Sequence, residues 1–246
     1  MDQTKHILEG SISVKAAILG GNRSVYELIV DHKKKDKDTS FIKHQAAARN
    51  IPVTLTNRET IDALCEGSTH GGIAAWVGER QYQPLEQLIE SKTPFLVLLE
   101  GIEDPYNFAY ALRSLCASGC NGIIVGERNW TTAASTIAKA SAGASEYIPI
   151  HVSKDVAHTI QQLKEQKIKL LCCMREDAVA YYEQDLTQGI CIAIGGELRG
   201  LSKSVLELSD QNIYIPYGST FRNALTASSA TAVVAFETAR QRAVKP

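Results

Sequence analysis

Three polar, glycine-bearing loops of this 246-residue chain carry residue types that a catalytic or binding site uses. The first reads Glu100-Gly101-Ile102-Glu103-Asp104-Pro105-Tyr106-Asn107 and runs on to Arg113. Asn107 and Arg113 fall on successive turns near a helix start. Two roles suit them. Either Asn107 is an N-cap and Arg113 a surface cation, or a helix N-terminus receives a phosphate or ribose, with Arg113 as its fixed cation. The second loop, Gly195-Gly196-Glu197-Leu198-Arg199-Gly200, follows an apolar run. Its glycines permit either close approach of a ligand to the backbone or a tight turn. The third, Gly218-Ser219-Thr220-Phe221-Arg222-Asn223, precedes a terminal stretch rich in alanine, serine and threonine. That stretch is either an ordinary helix packed on a sheet or a cofactor wall that doubles as a subunit interface.

The elements that must position these loops follow from hydrophobic periodicity. Continuous apolar runs at 95–99, 122–125, 147–150, 168–173, 190–194 and 213–215 predict strands. Helical patterns at 107–118, 131–140, 156–166 and 224–242 alternate with them, the second capped by Asn129 or Thr131. Such alternation predicts an α/β fold with a mostly parallel sheet covered on both faces. Ligands then gather at the loops leaving the C-terminal ends of the strands, where all three polar loops lie. Residues 1–79 read as a smaller α/β domain, with strands at 26–30, 53–56 and 73–77 and helices at 13–19, 39–49 and 57–65. Thr39 or Ser40 is the expected cap of the second helix and Asn57 of the third. Residues 80–93 are polar and read as a linker containing a short helix at 85–90, leaving 94–246 as the second domain.

Composition bounds the function classes. A hydrophobic fraction of 44% predicts a packed core, and a net charge of −1 gives no global field favouring nucleic acid. No apolar run approaches the roughly 20 residues of a membrane span. The N-terminal residues lack a charged-then-apolar targeting pattern, so a cytoplasmic protein is expected. None of the six cysteines forms a C-x-x-C pair, and most sit in apolar runs, so buried thiols rather than a metal or redox site are expected. The glycine loop is not G-x-G-x-x-G and comes late in the chain, which disfavours a nicotinamide-dependent enzyme.

Taken together, the ordered motifs resemble the SpoU/TrmH family of SPOUT-class RNA ribose 2′-O-methyltransferases. The resemblance rests on Asn107 and Arg113 after Glu103-Asp104-Pro105, on Lys139-Ala140-Ser141-Ala142-Gly143-Ala144, on Ile194-Gly195-Gly196-Glu197-x-x-Gly200-Leu201, and on Ile215-Pro216 with the final helix. It spans residues 94–242. Residues 1–78, with Thr69-His70-Gly71-Gly72-Ile73, resemble the small L30e/L7Ae-like substrate-binding domain often fused ahead of it. The resemblance implies a C-terminal trefoil knot, a rare exception to unknotted connections, and a homodimer with no metal and no membrane partner. It implies S-adenosyl-L-methionine as cofactor, held around Ile194, Gly195, Gly196, Gly200, Ile215, Pro216, Leu225 and Thr226. The implied substrate is structured RNA, 23S rRNA ahead of tRNA; a non-catalytic RNA-binding protein that keeps the fold is the competing class.

Methyl transfer from a sulfonium to a hydroxyl is an in-line displacement, which needs alignment of the 2′-oxygen and acceptance of its proton. Arg113 matches the family's catalytic arginine. A free guanidinium has a pKa above ~12, so binding the adjacent phosphate and stabilising the developing alkoxide suits an arginine better than a base role, with proton acceptance the alternative. Asn107 would orient the ribose or the arginine, and Glu197 would fix the loop or Arg113. One departure stands out. The family's third motif usually reads Ser-Leu-Asn, where this chain has Ala224-Leu225-Thr226; either Asn223 or Thr226 then supplies the missing group. Ala109 stands where glycine is common. Candidate RNA contacts are residues 32–37, Arg23 and the 68–72 loop, although a lysine run can also be a merely solvated loop.

Overall fold

The computed structural model describes residues 5–67, 69–127 and 133–243. They fall into two units, Met1–Gln81 with Asn129–Tyr147, and Tyr82–Arg128 with Ile148–Pro246. Residues 133–147, which the sequence division placed in the second domain, fall in the first unit. Asn129 and Thr131 lie outside the described residues.

The first unit is built on a four-stranded sheet in the order β1-β4-β2-β3. Its strands are β1 (His6–Glu9), β2 (Val25–Asp31), β3 (Val53–Thr56) and β4 (Ile73–Val77). β4 runs antiparallel to β1 and β2, and β3 is parallel to β2. Helices α1 (Ser11–Gly20), α2 (Lys37–Ala47) and α3 (Arg58–Leu64) complete it. Asn57 caps α3 as expected, but α2 starts earlier than its pattern suggested, because Asp36 accepts the Thr39 N–H. α6 (Ala134–Ala140) packs here too; its Ala138 joins Leu8, Leu28, Ile42 and Val77 in one core.

The inserted segment is tied in by charge. Arg23 is 7% exposed and forks onto Glu146, with Nε and Nη2 donating to its two carboxylate oxygens at 2.6 and 3.0 Å. Asn22 donates to the Glu146 carbonyl, and Ser145 Oγ donates to its carboxylate. Arg23 is therefore not an RNA contact. Its charge is consumed internally, and removing one member of such a buried pair costs about 3–5 kcal/mol. Glu9, also buried, pairs with Lys139.

The second unit carries a seven-stranded, wholly parallel sheet in the order β7-β6-β5-β10-β8-β11-β9. Its strands are β5 (Phe95–Glu100), β6 (Gly122–Gly126), β7 (Ile150–Ser153), β8 (Lys169–Cys173), β9 (Ala178–Ala180), β10 (Ile190–Gly195) and β11 (Gln211–Tyr214). β7 starts later than its apolar run suggested, since residues 144–146 form a single 3₁₀ turn. The helices are α4 (Leu85–Leu88), α5 (Pro105–Ala117), α7 (Val156–Glu165), α8 (Lys203–Glu207) and α9 (Ala227–Ala243). Leu96, Leu98, Ile124, Leu170, Cys172, Cys191 and Ala193 of the sheet form one core with Leu85, Ile160, Leu163 and Val205. From β5 the next strands, β6 and β7, lie to one side; β10 and β8 lie to the other. The C-terminal ends of β5 and β10 thus flank the point where strand order reverses, where ligands bind in open α/β sheets.

Candidate active site

At that switch point the exit loops of β5 and β10 meet backbone to backbone. The Gly196 N–H donates to the Glu100 carbonyl at 2.7 Å, and the Gly200 N–H donates to the Gly196 carbonyl at 2.9 Å. Glu100 also accepts the Ser202 N–H at 2.7 Å. There is no room for side chains on the inside. A Cβ on Gly195 would stand 2.3 Å from the Gly200 carbonyl carbon, and one on Gly196 would stand 1.9 Å from the Gly101 oxygen. The glycine pair is therefore demanded by packing, and it turns Glu197 outward.

Asp104, not Asn107, caps α5: its carboxylate accepts the Tyr106 and Asn107 N–H groups. This frees the Asn107 side chain, in the first turn, to bridge two elements. Its amide donates to Glu197 Oε1 at 3.0 Å, and its carbonyl accepts from Ser228 Oγ at 3.0 Å. Ser228 lies in the first turn of α9, which packs along α5. Thr226 caps that helix, its hydroxyl accepting the Ser229 N–H at 3.2 Å. A cleft of ≈ 130 Å³ lies against Asn107, Gly196, Glu197 and Asp104. Arg113 does not join this group. Six residues at 3.6 per turn set it about 120° around α5 from Asn107. It is exposed, and lines neither this cleft nor the larger cavity described next.

The larger cavity, ≈ 390 Å³, opens at the exits of β8, β10 and β11 beside α9. Of the expected cofactor residues, Ile194, Gly195, Ile215 and Leu225 line it. Gly196 lines the smaller cleft, while Gly200, Pro216 and Thr226 line neither. Asn223 is exposed, and its carbonyl accepts from the Tyr217 hydroxyl at 3.1 Å. That hydroxyl also accepts the Leu225 N–H at 3.0 Å, so Tyr217 sets the shape of the loop before α9. Phe221 stacks on the Tyr217 ring, with centroids 6.2 Å apart. Burial pushes the pKa of the Cys173 thiol in the wall up to about 12, which favours its protonated form at neutral pH.

Sequence reasoning missed four residues: Tyr217, Tyr181 and Arg175 on the larger cavity, and Ser228 on Asn107. Arg175 sits just past the C-terminal end of β8, a position the strand-end rule would have flagged. The β8 exit lacks the glycines that drew notice to the other loops. Among the described residues no group of three or more His, Cys, Asp or Glu side chains could hold a metal ion, and no helix is long and apolar enough to cross a membrane.

The cavity's size falls within the roughly 300–1,000 Å³ of small-molecule sites. Its apolar wall, tyrosine faces and glycine backbone suit a nucleoside-bearing cofactor. Comparison with known proteins agrees in extent and class. Residues 94–236 match the SpoU rRNA Methylase family, and residues 7–83 match the RNA 2′-O ribose methyltransferase substrate-binding family. A Staphylococcus saprophyticus chain assigned to the TrmH family of tRNA/rRNA methyltransferases is 32% identical, covering 96% of each chain. The 23S rRNA (guanosine-2′-O-)-methyltransferase RlmB of Escherichia coli is 30% identical, covering 96% of this chain and 98% of its own. The SpoU methyltransferase AviRb of Streptomyces viridochromogenes, solved in complex with AdoMet, superposes with a TM-score of 0.81 at 19% identity, over 98% of this chain and 92% of that one. With the Asn107–Glu197 pair set between two parallel strand exits and both domain families matched in order, this chain belongs to the SpoU rRNA methylase family.

Proposed function

We propose that this chain methylates a ribose 2′-oxygen in 23S rRNA, with S-adenosyl-L-methionine as methyl donor, as a cytoplasmic homodimer. The observation that carries the reading is the Asn107 bridge between Glu197 and Ser228, at the strand exits beside a cavity fit for the cofactor. When bound, the cofactor supplies an electrophilic methyl group. The protein's part is alignment and charge. Ile194, Ile215 and Leu225 exclude water along the cavity, and Gly195 adds its backbone to the wall. Asn107, held at both ends of its amide, offers a fixed polar edge for a ribose hydroxyl. Glu197 is committed to holding Asn107 and is not the general base.

Arg113 supplies the positive charge for the phosphate next to the reacting ribose and for the alkoxide that develops there. Its place on α5 supports delivery across a dimer. Tyr106 and Tyr110, both about half exposed, lie on the same α5 face, at the i, i+4, i+7 spacing that ends in Arg113. Phe236 exposes a further apolar surface on α9. Pairing two copies over these helices covers that surface. The tight passage of residues 196–200 past Gly101 supports a knotted path for the cofactor loops. The first unit would select the RNA, with the exposed Lys33 and Lys35 beside the 69–72 turn as contacts.

Transfer of radiolabelled methyl groups to deproteinised ribosomal RNA, followed by mapping of the modified nucleotide, tests the reading. Ribose labelling in 23S rRNA is the expected result. Absence of transfer to any RNA together with absence of cofactor binding overturns it.

A further inference from the structure

The larger cavity has a one-sided charge. The described residues lining it include two arginines, Arg175 and Arg222, and no aspartate or glutamate. An apolar cavity that carries only cations suits a ligand with a flat apolar body and an anionic end. The two arginines are not equivalent. Both are exposed, but Arg222 sits on the loop before α9, while Arg175 stands at the exit of β8 and is fixed twice. Its Nη1 donates to the Arg222 carbonyl at 2.8 Å, and its guanidinium carbon lies 4.9 Å from the centroid of the Tyr217 ring. Stacking on an aromatic face orients a guanidinium without consuming its donors. With one N–H on the Arg222 carbonyl, the rest of the fork stays available for a planar anion.

We propose that Arg175 binds the carboxylate at the amino-acid end of the cofactor, with Tyr217 as the platform that holds the guanidinium in place. This rests on the cofactor reading above and adds the group that recognises the end of the molecule furthest from its base. The arrangement divides recognition in two. The apolar wall takes the nucleoside, and the Arg175 fork takes the carboxylate in a charge-assisted pair. It also gives the β8 exit, with Met174 N–H donating to the Ile213 carbonyl, a reason to end in arginine rather than glycine.

The test compares two ligands that share the nucleoside and thioether but differ in the amino-acid end: S-adenosylhomocysteine, which has the carboxylate, and 5′-methylthioadenosine, which lacks it. Calorimetric titration of the full-length protein is the readout. Arg175→Ala is expected to weaken S-adenosylhomocysteine about tenfold or more, the worth of a charge-assisted hydrogen bond, and to leave 5′-methylthioadenosine within about twofold. Arg175→Lys, which keeps the charge and loses the fork, recovers part of the loss. Equal weakening of both ligands makes Arg175 a mere support of the loop and overturns the assignment. So does unchanged S-adenosylhomocysteine affinity, including the case where only RNA binding falls. If the wild-type protein binds neither ligand, the cofactor reading itself fails, a result distinct from both.

Discussion

Asn107 joins the two halves of the site by its own amide: Nδ2 reaches Glu197 on the β10 exit loop, and Oδ1 receives Ser228 from α9, both at 3.0 Å. Neither orientation can be exchanged, because Glu197 offers only acceptors and the flipped amide would set an oxygen against a carboxylate.

That rigidity predicts a graded pair of losses. Asn107→Ala, which removes both bonds, is expected to slow methyl transfer on the order of 10²-fold, as misplacement at a reacting centre does. Ser228→Ala, which leaves the Glu197 bond, costs less. In both variants calorimetry should show cofactor affinity within a few-fold of wild type. A Ser228→Ala variant as slow as Asn107→Ala would place the control at α9 instead.

Arg113 lies about 120° around α5 from Asn107, and in the proposed homodimer its contribution crosses between subunits. Arg113→Ala is expected to lose transfer by about 10²–10³-fold, the scale of a lost transition-state charge contact. Mixing it with Asn107→Ala should restore activity, since a mixed dimer assembles one intact site. Chains that carry both substitutions should not be rescued by mixing. Recovery is read from initial rates after co-refolding; none after mixing would confine the site to one chain.

The glycine pair gives a stability contrast that needs no substrate. Gly196→Ala drives a Cβ into the Gly101 carbonyl and should cost about 1–3 kcal/mol in urea unfolding, as overpacking does. Gly218→Ala, with nothing within 4 Å of the added atom, should fall within about ±0.5 kcal/mol.

Acid stability should depend on Glu9. Burial raises its carboxyl, but the Lys139 ammonium and the Gly67 N–H reverse this and leave it below its ordinary value of 4.5. A group depressed on folding contributes stability above its unfolded pKa and loses it as pH falls through the folded one. Glu9→Gln should therefore lower the urea midpoint at pH 7 and flatten its decline below about pH 4.5. A parallel decline in both proteins would remove Glu9 from the acid limb.

Much of the second unit was legible because its strands are continuous apolar runs, and a parallel sheet buried on both faces leaves no other pattern. The strands at β5, β6, β8 and β10 emerge within one or two residues of their predicted bounds. β1 and β9 did not show: β1 has only Ile7 and Leu8 between a histidine and a glutamate, and β9 is the three residues Ala-Val-Ala. Asn107 and Glu197 were legible as residue types, but their pairing depends on β5 lying beside β10, ninety positions apart. Ser228 was hidden because its partner Asn107 lies 121 positions away on another helix, and Arg175 because the β8 exit carries no glycines to draw notice. Arg23 looked like a surface cation because Glu146, which neutralises it, comes 123 positions later.

That separation bears on how the chain matures. Arg23 and Glu9 leave the ribosome 123 and 130 residues ahead of Glu146 and Lys139. Folding of the N-terminal unit during synthesis therefore stays incomplete until both partners have emerged. Its first unit waits, with two unneutralised charges at its heart, until β5 and β6 of the second have been translated. A nascent chain halted before Lys139 holds neither charge pair, and one halted between Lys139 and Glu146 holds only that of Glu9.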